Sequence, residues 1–347
     1  MTPDQTAAAL IAGRTPTEDA MFAYWQATDE GLRPKAETVA ILAALSAAPS
    51  DPDMMRSFVR YIRQTYPPVA LPSAGDAVNI VGTGGGRSTF NISTTAAFVA
   101  AAAGVKVLKS GSSAYSSSVG SGDILNALGL ARAPSDAFTD AMLSETGLAF
   151  AAPQRYAPVC KRLAIAALPL DFKVIGRFVN TLGPLICPYD MRAHVIGVSS
   201  LRLFGQLHQI AQLLAVPALL VHSDLGVDEF LSIGTNSWLW AQDEQARLQN
   251  ASALGLGQGS LDDLAGGDLS HNIAMMTAIL KGQGNRTSTE TVALNAGAAL
   301  FAGGVAHDLA QGTRLALECL ADGAPFAKLE QAQAFARAAA ADLGRVA

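Results

Sequence analysis

The sequence predicts an α/β fold: a small all-helical domain and a larger domain built on a central, mostly parallel sheet. Three observations carry the prediction. Residues 1–70 hold apolar side chains at helical spacing and no strand-like run. From Asp76 onward, short β-branched runs alternate with helical patterns, as in βαβ units. At 347 residues, half of them hydrophobic, the chain is long enough for two cores.

The elements follow in order. Thr15-Pro16-Thr17-Glu18 offers an N-cap, a proline at the first helical position and a glutamate placed to close a capping box. The helix it opens runs through Met21, Phe22 and Trp25 and stops near Gly31. Pro34 starts another, with Val39, Leu42, Ala43 and Leu45 on its spacing, and Ser50–Asp53 caps a third through Met54, Phe58 and Ile62. Pro67, Pro68 and Pro72 then break the pattern and mark a boundary. Val78–Val81 and Val105–Leu108 are expected strands on either side of a helix that opens at Asn91. Ala157–Leu182 is helical in pattern, so residues around 157–187 are expected to rejoin the helical domain. Ala193–Val198 and Ala218–His222 are further buried strands. Asn272–Leu280, Thr291–Ala302 and Asp308–Leu320 are the C-terminal helices. The expected division is 1–70, joined by 157–187, beside an α/β domain spanning 71–347.

Composition narrows the function. A net charge of −5 argues against bulk nucleic-acid binding, which needs basic surface to replace counterions. Cys160, Cys187 and Cys319 are odd in number and far apart, which suits a reducing cytoplasm rather than a disulfide framework or a zinc site. The first 20 residues lack the basic-then-apolar order of a signal peptide, and the apolar runs are too short for a membrane span. The five histidines show no metal spacing.

Gly82-Thr83-Gly84-Gly85-Gly86-Arg87 lies between an expected strand and an expected helix. The G-x-G-x-x-G fingerprint fails at Arg87, and Lys106 and Lys109 stand where its acid is needed. A P-loop fails because no Lys-Ser/Thr follows at the required offset. A glycine turn can merely pack two elements together. Here, however, Asn91-Ile92-Ser93-Thr94 puts small polar side chains at the helix start, beyond the one that capping needs. Lys109 ends the next strand nearby, and Ser110–Ser118 is rich in N–H and hydroxyl donors. Together these suit a phosphate held at the carboxyl edge of the sheet.

These residues resemble the anthranilate phosphoribosyltransferases, a family related to the pyrimidine-nucleoside phosphorylases. The family pattern GTGGDGxxTFNIST stands here as GTGGGRSTFNIST at Gly82–Thr94, and KHGNRxxSSxxGSAD as KSGSSAYSSSVGSGD at Lys109–Asp123. FNLLGPLxNP becomes VNTLGPLICP at Val179–Pro188, and the GxDE pair is GVDE at Gly226–Glu229. The likeness continues through the passage from Gly266 to Gly304 and covers essentially the whole chain in the family's order. It implies magnesium-dependent transfer of 5-phosphoribose from phosphoribosyl pyrophosphate to anthranilate or a related small aromatic acceptor, in a homodimer serving tryptophan biosynthesis. By position, Gly82, Gly85, Thr89, Asn91, Ser93, Thr94, Lys109 and Ser117 would contact the donor. Ser93, Asp228 and Glu229 would place Mg2+, and Gly82 and Ser112 would meet the acceptor. No residue is required as a covalent nucleophile; positioning and electrostatics would do the work.

The departures fall on the acceptor side. The glycine loop is one residue shorter and lacks its aspartate. Ser110, Ser112 and Ser113 replace the histidine, asparagine and arginine of KHGNR. No arginine falls where the family clamps the anthranilate carboxylate; Lys161, Arg162, Lys173 and Arg177 are nearby. Tyr115, Tyr156, Trp238 and Trp240 are candidates for an altered aromatic pocket or for ordinary packing. Two alternatives stay open: a nucleoside phosphorylase-like enzyme, and a non-catalytic nucleotide-binding regulatory paralogue.

Overall fold

The computed structural model describes residues 1–47, 51–111, 120–130, 134–151, 153–257 and 259–346. Four helices come first: α1 (Pro3–Ile11), α2 (Glu18–Asp29), α3 (Lys35–Ala47) and α4 (Pro52–Thr65). Thr2 caps α1 through a capping box with Gln5. Its apolar content is largely alanine, which is why its periodicity is faint. In α2 the cap is Thr17, whose hydroxyl accepts from the Ala20 N–H at 3.3 Å. Pro16 therefore precedes the cap instead of occupying the first helical position. Glu18 and Asp19 fill the first turn, where the helix dipole favours them. Asp51 caps α4, with Pro52 in the first turn as its fixed φ suits.

The sheet then assembles from β1 (Val78–Gly82), β2 (Val107–Lys109), β3 (Leu148–Phe150), β4 (Ala193–Gly197), β5 (Ala218–Ser223), β6 (Thr235–Trp240) and β7 (Arg247–Asn250). Its order is β3-β2-β1-β4-β5-β6-β7. The first five strands are parallel, and β6 and β7 add antiparallel at one edge. Between the strands lie α5 (Ile92–Ala102), α6 (Ser121–Ala127), α7 (Asp136–Thr146), α8 (Pro158–Ala167), α9 (Phe172–Ile175), α10 (Arg177–Leu182) and α11 (Leu201–Leu213). After β7 come α12 (Leu269–Leu280), α13 (Arg286–Ala302), α14 (Leu309–Ala321) and α15 (Ala324–Val346).

Strand alternation sends side chains to two cores. Val78, Ile80, Val195, Leu219 and Val221 join one cluster with α5 and the C-terminal helices. Ile196, Val198, Leu220 and the partly buried Val81 join a second, with the N-terminal helices, α8, α10 and α11. At the centre of the second, Trp25 of α2 lies edge-on to Phe58 of α4 at 4.9 Å between ring centroids and stacks on Phe178 of α10 at 6.0 Å. Its indole N–H donates to the Ser57 hydroxyl at 3.0 Å. The segment around 157–187 thus packs with the N-terminal helices. Among the described residues no helix is long and apolar enough to cross a membrane.

Candidate functional site

The strand order turns at β1 and β4, so a crevice opens beyond their carboxyl ends, the place where open α/β sheets bind ligands. Gly82 ends β1 in register with Gly197, the end of β4. The Asp228 side chain and backbone lie directly over both. A Cβ on Gly82 would collide with the Asp228 carboxylate, and one on Gly197 with the Asp228 carbonyl. The glycine loop continues through Gly84 and Gly85 at φ +71° and +82°, a left-handed backbone that glycine adopts without strain. The Gly84 N–H donates to Asp228 Oδ2 at 2.7 Å, and the Ser199 hydroxyl donates to the Gly84 carbonyl at 3.0 Å. The Arg87 N–H reaches the Gly226 carbonyl at 3.1 Å. The loop from β1 and the Gly226–Glu229 turn therefore hold each other in place.

Beyond the loop, Thr89 bridges to Ala265, and the Phe90 N–H donates to the Leu264 carbonyl at 3.0 Å. Asn91 is the N-cap of α5, yet its side chain does not cap; its Oδ1 accepts from Asn272 Nδ2 at 3.1 Å. The Ser93 backbone N–H instead donates to the Glu229 carboxylate, so an acid occupies the helix start where the dipole favours it. The ammonium of Lys109, only 4% exposed, donates to the Ile80 carbonyl at 2.6 Å and to the Ser93 hydroxyl at 3.3 Å.

One cation and two carboxylates thus share a water-poor corner. Burial lowers the Lys109 pKa to about 8, against the charges of Glu229 and Asp228, which hold it up. Burial likewise pushes Asp228 up, offset by the Gly84 N–H and by Lys109. Glu229 stands well above the ordinary carboxylate range, first through burial and then through the adjacent Asp228. Its Oε2 has no hydrogen-bond partner among the described residues. A buried carboxylate oxygen left unpaired is costly, and a hard divalent cation would complete it. Ser93, Asp228 and Glu229 offer oxygen donors only, the set that magnesium prefers. Among the described residues no three His, Cys, Asp or Glu side chains gather as a metal cage. Magnesium needs none, because it keeps waters and shares substrate phosphates.

The structure brings together Gly82, Ser93, Lys109, Asp228 and Glu229. Gly85 sits exposed on the turn, Thr89 and Asn91 line the path into α5, and Thr94 is buried within that helix. Neither Ser93 nor Thr94 caps α5, contrary to the simplest reading of that helix start. Ser112, Ser117 and Tyr115 lie outside the described residues. Trp238 and Trp240 belong to β6 and pack edge-on against Phe301, which makes them packing residues. Tyr156 is partly buried and neighbours Ser110. Gly197, Ser199 and Asn272 are site neighbours absent from the expected set. Gly197 and Ser199 had a signal, since they close and follow a strand that ends at the same edge. A groove of about 520 Å³ between α7 and α15 shares no residue with this crevice.

Lys109 binds fewer protons in the folded than in the unfolded chain between pH of about 8 and 10.5, so its contribution to stability rises through that window. Relative to Lys109→Met, the wild type should gain about 3 kcal/mol across it. Urea denaturation of both proteins at pH values on either side of the window measures the gain, and parallel profiles would contradict the buried charge.

Residues 74–326 match the model of the glycosyl transferase family, a/b domain. The chain is 36% identical over 318 residues to an anthranilate phosphoribosyltransferase of Prochlorococcus marinus (strain MIT 9313), covering 90% of this chain and 88% of that one. It is 33% identical over 339 residues to one of Thermomicrobium roseum, covering 95% and 96%. The crystal structure of the Thermus thermophilus anthranilate phosphoribosyltransferase superposes with a TM-score of 0.83 at 32% identity, covering 96% of this chain and 99% of that one. The fold is also that of the Saccharomyces cerevisiae enzyme in complex with PRPP and Mg, at a TM-score of 0.78, 21% identity and 92% coverage of each chain. These likenesses decide among the alternatives the sequence left open, in favour of a phosphoribosyltransferase. The chain belongs to the glycosyl transferase family and, within it, to the anthranilate phosphoribosyltransferases.

Proposed function

We propose that this enzyme transfers 5-phosphoribose from phosphoribosyl pyrophosphate to the amine of anthranilate or a related aromatic acceptor, releasing pyrophosphate with the help of magnesium. The observation that carries the reading is the unpartnered, buried Glu229 oxygen beside Asp228, Lys109 and the start of α5. In the reaction the bond from ribose C1 to the pyrophosphate oxygen breaks, a C1–N bond forms, and the amine gives up a proton. Charge accumulates on the departing oxygens, where preorganised donors act most strongly. Gly82, Gly85, Thr89, Asn91, Ser93, Thr94, Lys109 and Ser117 are the donor-contacting residues in this reading. Ser93, Asp228 and Glu229 would hold magnesium, which when bound neutralises part of the pyrophosphate charge. Gly82 and Ser112 would meet the acceptor in the same reading. The division into a helical domain, 1–70 with 157–187, and an α/β domain from 71 is supported by the two hydrophobic clusters. A homodimer is part of the same reading.

Glu229→Gln keeps the size of the side chain and removes the charge that holds the cation. Pyrophosphate release by this variant should require at least tenfold more magnesium, with thermal stability near the wild-type value. Unchanged magnesium dependence would remove Glu229 from the metal site.

On the acceptor side, Ser112 stands in place of the family asparagine, and the nearby cations offer no clamp of the family's kind. Arg162 points to Asp29 at 3.7 Å within the helical layer, while Lys161, Lys173 and Arg177 are exposed. A carboxylate that loses a charge-assisted partner loses about 1.5–3 kcal/mol, roughly ten- to a hundredfold in affinity. Anthranilate should therefore be a poorer acceptor than aromatic amines without that carboxylate, or with it elsewhere on the ring. Comparing kcat/KM across such a panel checks this, and efficient turnover of micromolar anthranilate would refute it.

A further inference from the structure

β1 and β2 are neighbours in the sheet, yet they part almost at once. β1 stays in register with β4 from Val78 to Gly82, whereas it registers with β2 only at Val78 and Val107. β2 follows β3 instead, through to Lys109 and Phe150, and the Ala151 N–H donates to the Lys109 carbonyl at 2.9 Å. A wedge therefore opens between β1 and β2 toward the carboxyl edge. Backbone groups facing such a wedge lose their ladder partners and need others.

Two side chains fill it. Lys109 Nζ takes the Ile80 carbonyl on one face of the sheet. Asn79 takes the next residue: its Oδ1 accepts from the Ser110 N–H at 2.9 Å, and its Nδ2 donates to the Ser110 hydroxyl at 2.7 Å. Nδ2 also stands 3.4 Å from Nδ1 of His194, its register partner on β4. Asn79, Ser110 and His194 are all buried, at 0%, 1% and 3% exposure. Burial lowers the His194 pKa to about 4, so the ring is neutral and free to accept at Nδ1. Tyr156 and Cys187 also neighbour Ser110.

We infer that Asn79 is a positioning residue: its amide replaces the missing β-ladder, fixes the backbone of Ser110, and thereby holds the Lys109 ammonium against Ser93 at the crevice. An amide suits the task because it supplies an acceptor for the N–H and a donor for the hydroxyl in one plane. Among the described residues, no other group of β1 accepts from the Ser110 N–H. That Lys109 serves the donor rests on the reading given under Proposed function; that Asn79 fixes Ser110 does not.

The test compares Asn79→Val, which removes both contacts at similar size, with Asn79→Asp, which keeps the acceptor for the Ser110 N–H. Ser110→Ala removes only the hydroxyl. Amide hydrogen exchange is measured on the protein without substrate, and steady-state kinetics with phosphoribosyl pyrophosphate and magnesium. Asn79→Val should lose at least tenfold of the Ser110 amide protection, with the amides of β4 unchanged. Its KM for the donor should rise at least tenfold while kcat stays within threefold. Asn79→Asp should recover most of both losses, and Ser110→Ala should fall between. A folded Asn79→Val with wild-type Ser110 protection, or with kcat and KM affected alike, would overturn the inference, as would Asn79→Asp behaving like the valine variant. Should the valine variant not fold, wild-type exchange and KM in Ser110→Ala would overturn it instead. A wild-type enzyme with no donor kinetics would refute the proposed function alone, leaving the exchange measurement to decide Asn79.

Discussion

Burying two carboxylates and a lysine at one corner of a sheet is the constraint around which this structure is arranged. Asp228 reaches that corner only because Gly82 and Gly197 carry no Cβ beneath it. Its oxygen is held by the Gly84 N–H, that of Glu229 by the Ser93 N–H, and the Lys109 ammonium sits nearby between Ile80 and Ser93. Each charge is disfavoured by burial, and that of Glu229 also by Asp228, while Lys109 and the two carboxylates support one another. Such an arrangement contributes little to stability on its own and is poised for an added cation and an anionic ligand. The fold supplies the rigidity: β1 and β4 are buried on both faces, and the two clusters grip the sheet from opposite sides.

Much of this was legible in the sequence, for reasons that differ by element. The central strands β1, β4 and β5 announce themselves as short apolar β-branched runs, because strands covered on both faces need them. The strands that escaped lack that signature. β3 is three residues long. β6 reads TNSWLW, three polar residues ahead of an apolar end, and β7 is largely exposed. The β2 strand begins at Val107 and includes Lys109, a residue that strand propensity disfavours. Lys109 is tolerated there because its ammonium meets a carbonyl in the wedge beside β1.

The site was legible as types and spacing but not as contacts. A glycine loop before a helix start, a lysine ending the next strand and a distant acidic pair all fall at the same crevice. The pairing of Ser93 with both Lys109 and Glu229 depends on tertiary packing, and a local reading assigns the serine to helix capping instead. Asn79 gave no signal either, since a polar residue in an apolar strand is visible only as an irregularity until its partner on the next strand is known.

The most direct test of the central claim is calorimetric titration of the wild-type protein with phosphoribosyl pyrophosphate, with and without magnesium. Saturable binding that strengthens with magnesium, and strengthens further as the pH rises toward about 8 and the raised carboxylates of Asp228 and Glu229 ionise while Lys109 keeps its proton, is the expected result. No heat of binding at millimolar donor with magnesium present would contradict the assignment of this corner to the donor.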